Sequence, residues 1–132
     1  MALDVGDKKI GLAISDEMLL TAQSRPTLKR TNLNSDLEHL RQLAETNEVK
    51  EIIVGNPLHM DGRPSPQSQK IAHFARKLHE ATRIPITFWD ERLTSVEAGR
   101  VLRSSGISIE KRAAAVDKLS AVILLQSYLD SL

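Results

Sequence analysis

The pattern of residues 1–15 constrains the fold more than any other part of the sequence. Residues 1–5 form a short strand-like segment with Asp4 on the side opposite its apolar neighbours. Residues 9–15 alternate apolar with polar or small side chains, which is the pattern of a half-buried strand. Gly6 and Asp7, between the two segments, are typical turn residues. The chain is therefore predicted to begin with an antiparallel β-hairpin.

Helix-like and strand-like segments alternate after the hairpin. Residues 21–28 could add a third strand, and Pro26 would place it at the edge of the sheet, where a missing backbone donor is tolerated. Ser35 followed by Glu38 has the spacing of a capping box, so a helix is predicted to open at Ser35. The apolar residues 52–54 indicate a strand that is covered on both faces.

The second half of the chain continues this alternation. Ser65 followed by Pro66 predicts the start of another helix, and residues 86–89 predict another short strand. Thr94 with Glu97 suggests a helix that ends near Gly106, and a last helix is expected to end near Asp130. The order favours a ribonuclease H-like α/β fold: a mixed sheet of hairpin, edge strand and parallel strands, flanked by helices.

Composition limits the class of protein. A length of 132 residues fits one domain over residues 1–132, and no apolar run approaches the ~18 residues of a membrane span. Without such a run, and without the basic-then-apolar pattern of a signal peptide, a soluble, cytoplasmic protein is expected. The absence of cysteine excludes disulfides, thiolate metal sites and a cysteine nucleophile. Net charge is +1, but residues 63–118 carry 11 Lys or Arg against 6 Asp or Glu. That excess permits a polyanionic partner, although ordinary solvated helix faces would explain it equally well.

Four acids lie where a carboxylate would lose part of its hydration. Asp4 is in the first strand, Asp90 and Glu91 follow the last strand, and Asp117 is inside the final helix. If these elements converge, a divalent cation would relieve the repulsion between the acids. A pair of such ions can promote phosphodiester hydrolysis by water. Each acid could instead be a turn acceptor, a helix cap or half of a surface ion pair.

A second interpretation of the hairpin is a phosphate cradle. An Asp-x-Gly turn followed by Lys8 and Lys9 resembles the first phosphate loop of actin and the sugar kinases. Those ATPases need a second acid-bearing hairpin, and this sequence has no second Asp-x-Gly hairpin. A nucleotide-binding phosphotransferase is therefore the weaker hypothesis. A non-catalytic module that only binds nucleic acid is a third.

Four segments together resemble the YqgF/RuvX family over nearly the whole chain: "LDVGDKKIGLAISD", "IIVGNPLHMDG", "WDERLTSVEA" and "VDKLSAVILLQSYLD". The resemblance implies a ribonuclease H-like nuclease that matures the 5′ end of pre-16S ribosomal RNA, in a family also labelled as Holliday junction resolvases. The family's acids map onto Asp4, the pair Asp90 and Glu91, and Asp117. Of that pair we prefer Glu91 as the metal-facing acid, because its longer side chain could reach inward from beyond the strand end.

The resulting hypothesis is a Mg²⁺- or Mn²⁺-dependent endonuclease whose metal ligands are Asp4, Glu91 and Asp117, with Asp90 as a further catalytic candidate. The best candidates for phosphate contacts are basic residues near these acids: Lys8, Lys9, Arg92, Arg112 and Lys118. The expected partner is a structured ribosomal RNA precursor or branched DNA, with no membrane. The protein could act as a monomer or homodimer, and a dimer would favour the junction substrate.

Overall fold

A computed structural model describes residues 1–56, 63, 65–90 and 109–132, and within residues 109–119 it describes the backbone alone. Five strands are present: β1 (Ala2–Val5), β2 (Lys9–Ser15), β3 (Ala22–Lys29), β4 (Ile52–Asn56) and β5 (Ile86–Asp90). Three helices accompany them: α1 (Leu33–Thr46), α2 (Pro66–Thr82) and α3 (Ile109–Asp130). The predicted helix between Thr94 and Gly106 lies outside the described residues.

The strands form one mixed sheet in the order β3-β2-β1-β4-β5. β1 pairs with β2 and β2 with β3 in antiparallel fashion, which confirms the predicted hairpin and edge strand. β4 pairs with β1 and with β5 in parallel fashion. The carboxyl ends of β1, β4 and β5 therefore meet at one edge of the sheet.

Each face of the sheet carries its own apolar cluster. One cluster packs α1 and α2 against alternate side chains of the central strands, among them Leu3, Ile10 and Val54. The other cluster packs α3 on the opposite face, and its fully buried sheet residues are small or compact: Ala2, Ala13 and Ile53. Because alanines project little from the sheet, α3 can approach the backbone of β1 and β2 closely.

The start of α1 differs from the prediction. The helix begins at Leu33, and its N-cap is Asn32, whose side chain accepts a hydrogen bond from the Ser35 amide at 2.9 Å. Ser35 is thus the third helical residue and not the cap. The capping-box spacing favours Ser35 because Glu38 follows it, but asparagine is an equally good N-cap, and Asn32 lies one turn earlier. The prediction for α2 is confirmed, since Ser65 caps that helix and Pro66 is its first residue.

The last helix, α3, ends at Asp130 as expected. It is long enough to span a bilayer, but among the described ranges no helix is also sufficiently apolar to do so.

Candidate active site

Asp4 lies at the carboxyl end of β1, half-buried, with Gly11 of β2 as its ladder partner. Directly opposed residues share a face of the sheet, and so do residues two positions apart in one strand. Asp4 is therefore on the same face as Ala2 and Ala13, which is the face that α3 covers. Because Gly11 has no side chain, the position across the ladder from Asp4 stays uncrowded.

The direction of α3 relates Asp117 to Asp4. Leu125 and Leu129, near the carboxyl end of α3, line one cavity with Met1, so this end lies over the start of β1. The helix therefore runs from the Asp4 end of β1 towards the Met1 end. Asp117 is one turn before the buried Ala121. The step from Asp117 to Ala121 covers about 6 Å along α3. This is nearly the distance from Asp4 to Ala2 along β1.

Contacts at the carboxyl end of α3 fix the helix across the sheet. On the β3 side, the Ala22 amide donates to Oε1 of Gln126 at 3.0 Å. On the β5 side, Nε1 of Trp89 donates to Oγ of Ser127 at 3.2 Å, and the Trp89 ring meets Tyr128 edge-on with 5.6 Å between centroids. These contacts set where the preceding turns of α3 cross β1.

The same end of α3 is hydrogen-bonded to a carboxylate that lies just before β4. Oε1 of Glu51 accepts from the Tyr128 hydroxyl at 2.6 Å and from the Thr87 hydroxyl at 3.1 Å. The bond to Glu51 raises the pKa of Tyr128, because it stabilises the protonated phenol beside a negative charge. This group lies at the amino end of the parallel strands, away from Asp4.

Asp90 is the last residue of β5 and pairs with Asn56 of β4, also at the carboxyl edge of the sheet. Its neighbour Trp89 packs against the α3 cluster. Alternation along β5 therefore places Asp90 on the face opposite Asp4. Asp4 and Asp90 share an edge of the sheet but not a face, and Glu91 lies outside the described residues.

The turn between β1 and β2 follows Asp4 directly. The Gly6 amide donates to the Lys9 carbonyl at 2.9 Å, and a Cβ on Gly6 would meet that same oxygen at 2.9 Å. A side chain at this position would thus force the turn to open. The tight turn leaves Lys8 and Lys9 exposed, as the phosphate-contact hypothesis requires.

Arg30 holds this turn from the end of β3, and sequence reasoning missed it. Its Nη1 donates to the Gly6 carbonyl at 2.8 Å, and its backbone amide donates to the Lys8 carbonyl at 2.9 Å. The guanidinium lies 3.5 Å from the carboxylate of Asp36 and 5.1 Å from the Phe74 ring centroid. These contacts depend on how β3 aligns with β2, and the sequence carries no clear signal for that alignment.

The remaining predicted residues are only partly placed. Arg112, Asp117 and Lys118 lie on α3, but their side chains are not among the described ones, and Arg92 is outside the described ranges. Within the described part of the chain, no three His, Asp or Glu side chains converge as a metal site. The full acid set Asp4, Glu91 and Asp117 includes two acids whose side chains lie beyond that part.

This arrangement of sheet and helices is the ribonuclease H-like fold that the element order predicted. A solved structure titled "T. thermophilus RuvC in complex with Holliday junction substrate" superposes with a TM-score of 0.59, covering 98% of this chain and 92% of that one. The two sequences are 11% identical, so the match shows a shared fold.

Sequence comparison defines the family. The family described as "RuvX: Holliday junction resolvase" matches residues 1–131, and the chain belongs to it. Two relatives share the name "Putative pre-16S rRNA nuclease". The protein from Koribacter versatilis is 50% identical over 130 residues, 98% of this chain and 85% of the relative. That from Thermoanaerobacter pseudethanolicus is 52% identical over 132 residues, 99% of this chain and 95% of the relative.

Proposed function

We propose that the chain is a cytoplasmic, divalent-metal-dependent endonuclease that hydrolyses phosphodiesters at the 5′ end of pre-16S ribosomal RNA. One observation carries the proposal: Asp4 is a half-buried acid at the carboxyl edge of the sheet, on the face that α3 covers. The names of the two relatives support the RNA substrate. Residues 1–132 would form one nuclease domain.

The residues that would hold the metal are Asp4, Glu91 and Asp117. The donor set fits Mg²⁺ or Mn²⁺, because both ions prefer carboxylate oxygens. The uncrowded ladder position opposite Asp4 and the small residues beneath α3 leave room for acids on β1 and α3 to approach one ion. When bound, divalent ions activate the attacking water and offset the charge that develops on the leaving oxygen.

The position of Asp90 supports the choice of Glu91 as the third ligand. Asp90 is on the α1 and α2 face, so its carboxylate would have to pass the sheet edge to reach an ion beside Asp4. We propose that Asp90 instead orients groups around the site and does not bind the ion.

The chain's cations would place the substrate. Lys8 and Lys9 are exposed on the turn that follows Asp4, and Arg30 with Gly6 keeps that turn in one conformation. A phosphate held there lies within one or two nucleotides of Asp4. Arg92, Arg112 and Lys118 are proposed to contact the backbone on the α3 side.

The second candidate substrate is a four-way DNA junction, which the family's description favours. Paired symmetric cuts at a junction need two active sites related by two-fold symmetry. The junction activity therefore requires a homodimer, whereas RNA processing can proceed with a monomer.

Asp4→Asn tests the proposal, with Asp130→Asn as the matched control on the exposed carboxyl end of α3. Purified protein with Mg²⁺ should cut a ribosomal 5′-leader RNA, and Asp4→Asn should slow cutting by about 100-fold or more. Asp130→Asn should cut at the parent rate, and both variants should stay folded by circular dichroism.

Three results would contradict it. Equal cutting by Asp4→Asn would assign the activity to another site. RNA affinity that falls with salt, without metal-dependent cutting, would indicate a binding module. Cutting of a four-way DNA junction in preference to the leader RNA, by a protein that sediments as a dimer, would favour the resolvase.

A further inference from the structure

Lys9 of β2 and Lys29 of β3 are directly opposed in the antiparallel ladder. The adjacent pair in the ladder is Lys8 with Arg30, and there the Arg30 amide donates to the Lys8 carbonyl at 2.9 Å. In antiparallel strands this bond flanks a non-hydrogen-bonded pair, the type in which opposed side chains lie closest. Both lysines are exposed.

The lysine pair shares a face with Asp4. Lys9 and Gly11 are two residues apart in β2, and Gly11 is the ladder partner of Asp4. Lys29 takes the face of Lys9 because the two residues are opposed. From strand spacing and residue rise, the Cα of Lys29 is on the order of 12 Å from that of Asp4.

A single lysine on an exposed edge strand is common, because it discourages pairing with another chain. A lysine on each of two adjacent strands at the same level, in contrast, concentrates positive charge at one point. A phosphate diester, with its single negative charge, can accept hydrogen bonds from both ammonium groups.

We propose that Lys9 and Lys29 form a single phosphate-binding site. Through it the nucleic-acid backbone passes from Asp4 across the hairpin towards the edge strand β3. The proposal rests on the proposed function in one respect: Asp4 marks the reacting phosphodiester. Lys29 adds a contact that its sequence neighbourhood does not reveal, because only the register of β3 opposes it to Lys9.

The test measures binding apart from cleavage. Lys29→Gln is made in the Asp4→Asn background without divalent metal, with Lys50→Gln as the matched control. Lys50 is exposed just before β4, at the opposite end of the sheet, and its change removes the same charge. The probe is a fluorescently labelled leader RNA hairpin, titrated at several salt concentrations.

Lys29→Gln should weaken RNA binding about threefold to tenfold and reduce the slope of log K against log salt by about 0.7–0.9, because one phosphate contact is lost. Lys50→Gln should change neither quantity. Lys29→Gln should keep the denaturation midpoint of the parent, since Lys29 is exposed. Lys29→Glu should weaken binding more than Lys29→Gln does, because it adds a negative charge at the phosphate site.

The outcomes separate this site from the proposed function. Parent-like affinity in Lys29→Gln, or equal losses in Lys29→Gln and Lys50→Gln, would overturn the lysine site even if the parent cuts RNA. Selective weakening by Lys29→Gln in a protein that does not cut RNA would keep the site and reject the nuclease. An Asp4→Asn protein that does not bind the RNA at all would overturn the site.

Discussion

Two acids show that burial alone does not identify a catalytic carboxylate. Asp36 is only 2% exposed, far more buried than the half-buried Asp4, yet it serves structure. Its Oδ1 accepts from the Thr31 amide at 3.2 Å, and its Oδ2 lies 3.5 Å from Nε of Arg30. Asp4 is distinguished by its place, at the carboxyl edge of parallel strands and on the α3 face. Under the proposed function, that place is what gives Asp4 its role in the chemistry.

Tyr128 offers a direct measurement on a single side chain, because it is the only tyrosine in the sequence. Its hydrogen bond to Glu51 raises its pKa above the ordinary value of about 10. The tyrosinate absorbance of the native protein should therefore appear at higher pH than that of the unfolded protein. Between those two pKa values the free energy of unfolding should fall as pH rises, and below about pH 10 the contribution is fully present.

Glu51→Gln is the matched control for this titration. Glutamine can still accept a hydrogen bond but carries no charge, so the Tyr128 pKa should move back towards its ordinary value. A native titration at the same pH as in the unfolded protein would contradict the bond to Glu51.

The beginning of α1 shows what a local pattern can and cannot resolve. Asn32, Ser35 and Asp36 are all residue types that favour the first turn of a helix. Their order alone does not reveal which one is the cap. The Asp36 carboxylate contacts Thr31 and Arg30 and therefore does not cap the helix. The N-cap is Asn32.

Asn32→Ala should lower the free energy of unfolding by about 1 kcal/mol, because it removes the acceptor for the Ser35 amide. Ser35→Ala should change it by less than about 0.5 kcal/mol, since alanine is at least as good a helix former within the first turn. Urea denaturation of both variants measures the difference. The opposite ranking would restore Ser35 as the cap.

The molecule as a whole depends on how closely α3 lies on the sheet. Ala121 is fully buried in the same cluster as Ala2 and Ala13, so small side chains meet on both sides of this contact. Under the proposed function, that separation also sets the distance between the acids of β1 and α3.

Ala121→Leu should therefore lower the free energy of unfolding by about 1–3 kcal/mol through overpacking. It should also slow Mg²⁺-dependent RNA cutting under conditions where the protein is still folded, because α3 is pushed away from β1. The control is Ala81→Leu, at an exposed position near the end of α2, which should stay within about 0.5 kcal/mol of the parent. If folded Ala121→Leu protein cut RNA at the parent rate, the packing of α3 against β1 would not control the chemistry.

Much of the fold was predictable because the signals are local. The alternation of residues 9–15, the turn at Gly6 and the cap at Ser65 each act over a few residues, and all three appear in the structure as expected. The contact of Arg30 with the turn and the pairing of Lys29 with Lys9 were not predictable. Each depends on the alignment of β3 with β2, which includes a register shift between Ile10 and Leu12.

The amino-acid order was sufficient for the order of strands and helices among the described residues, the family and the choice of candidate acids, since periodicity and short motifs are properties of neighbouring residues. Tertiary structure alone decided which candidates share a face. It placed Asp4 beneath α3, put Asp90 on the other side of the sheet and set Lys29 against Lys9. The reason is physical: side chains alternate along every strand, so a shift of one residue in pairing moves a functional group to the opposite face.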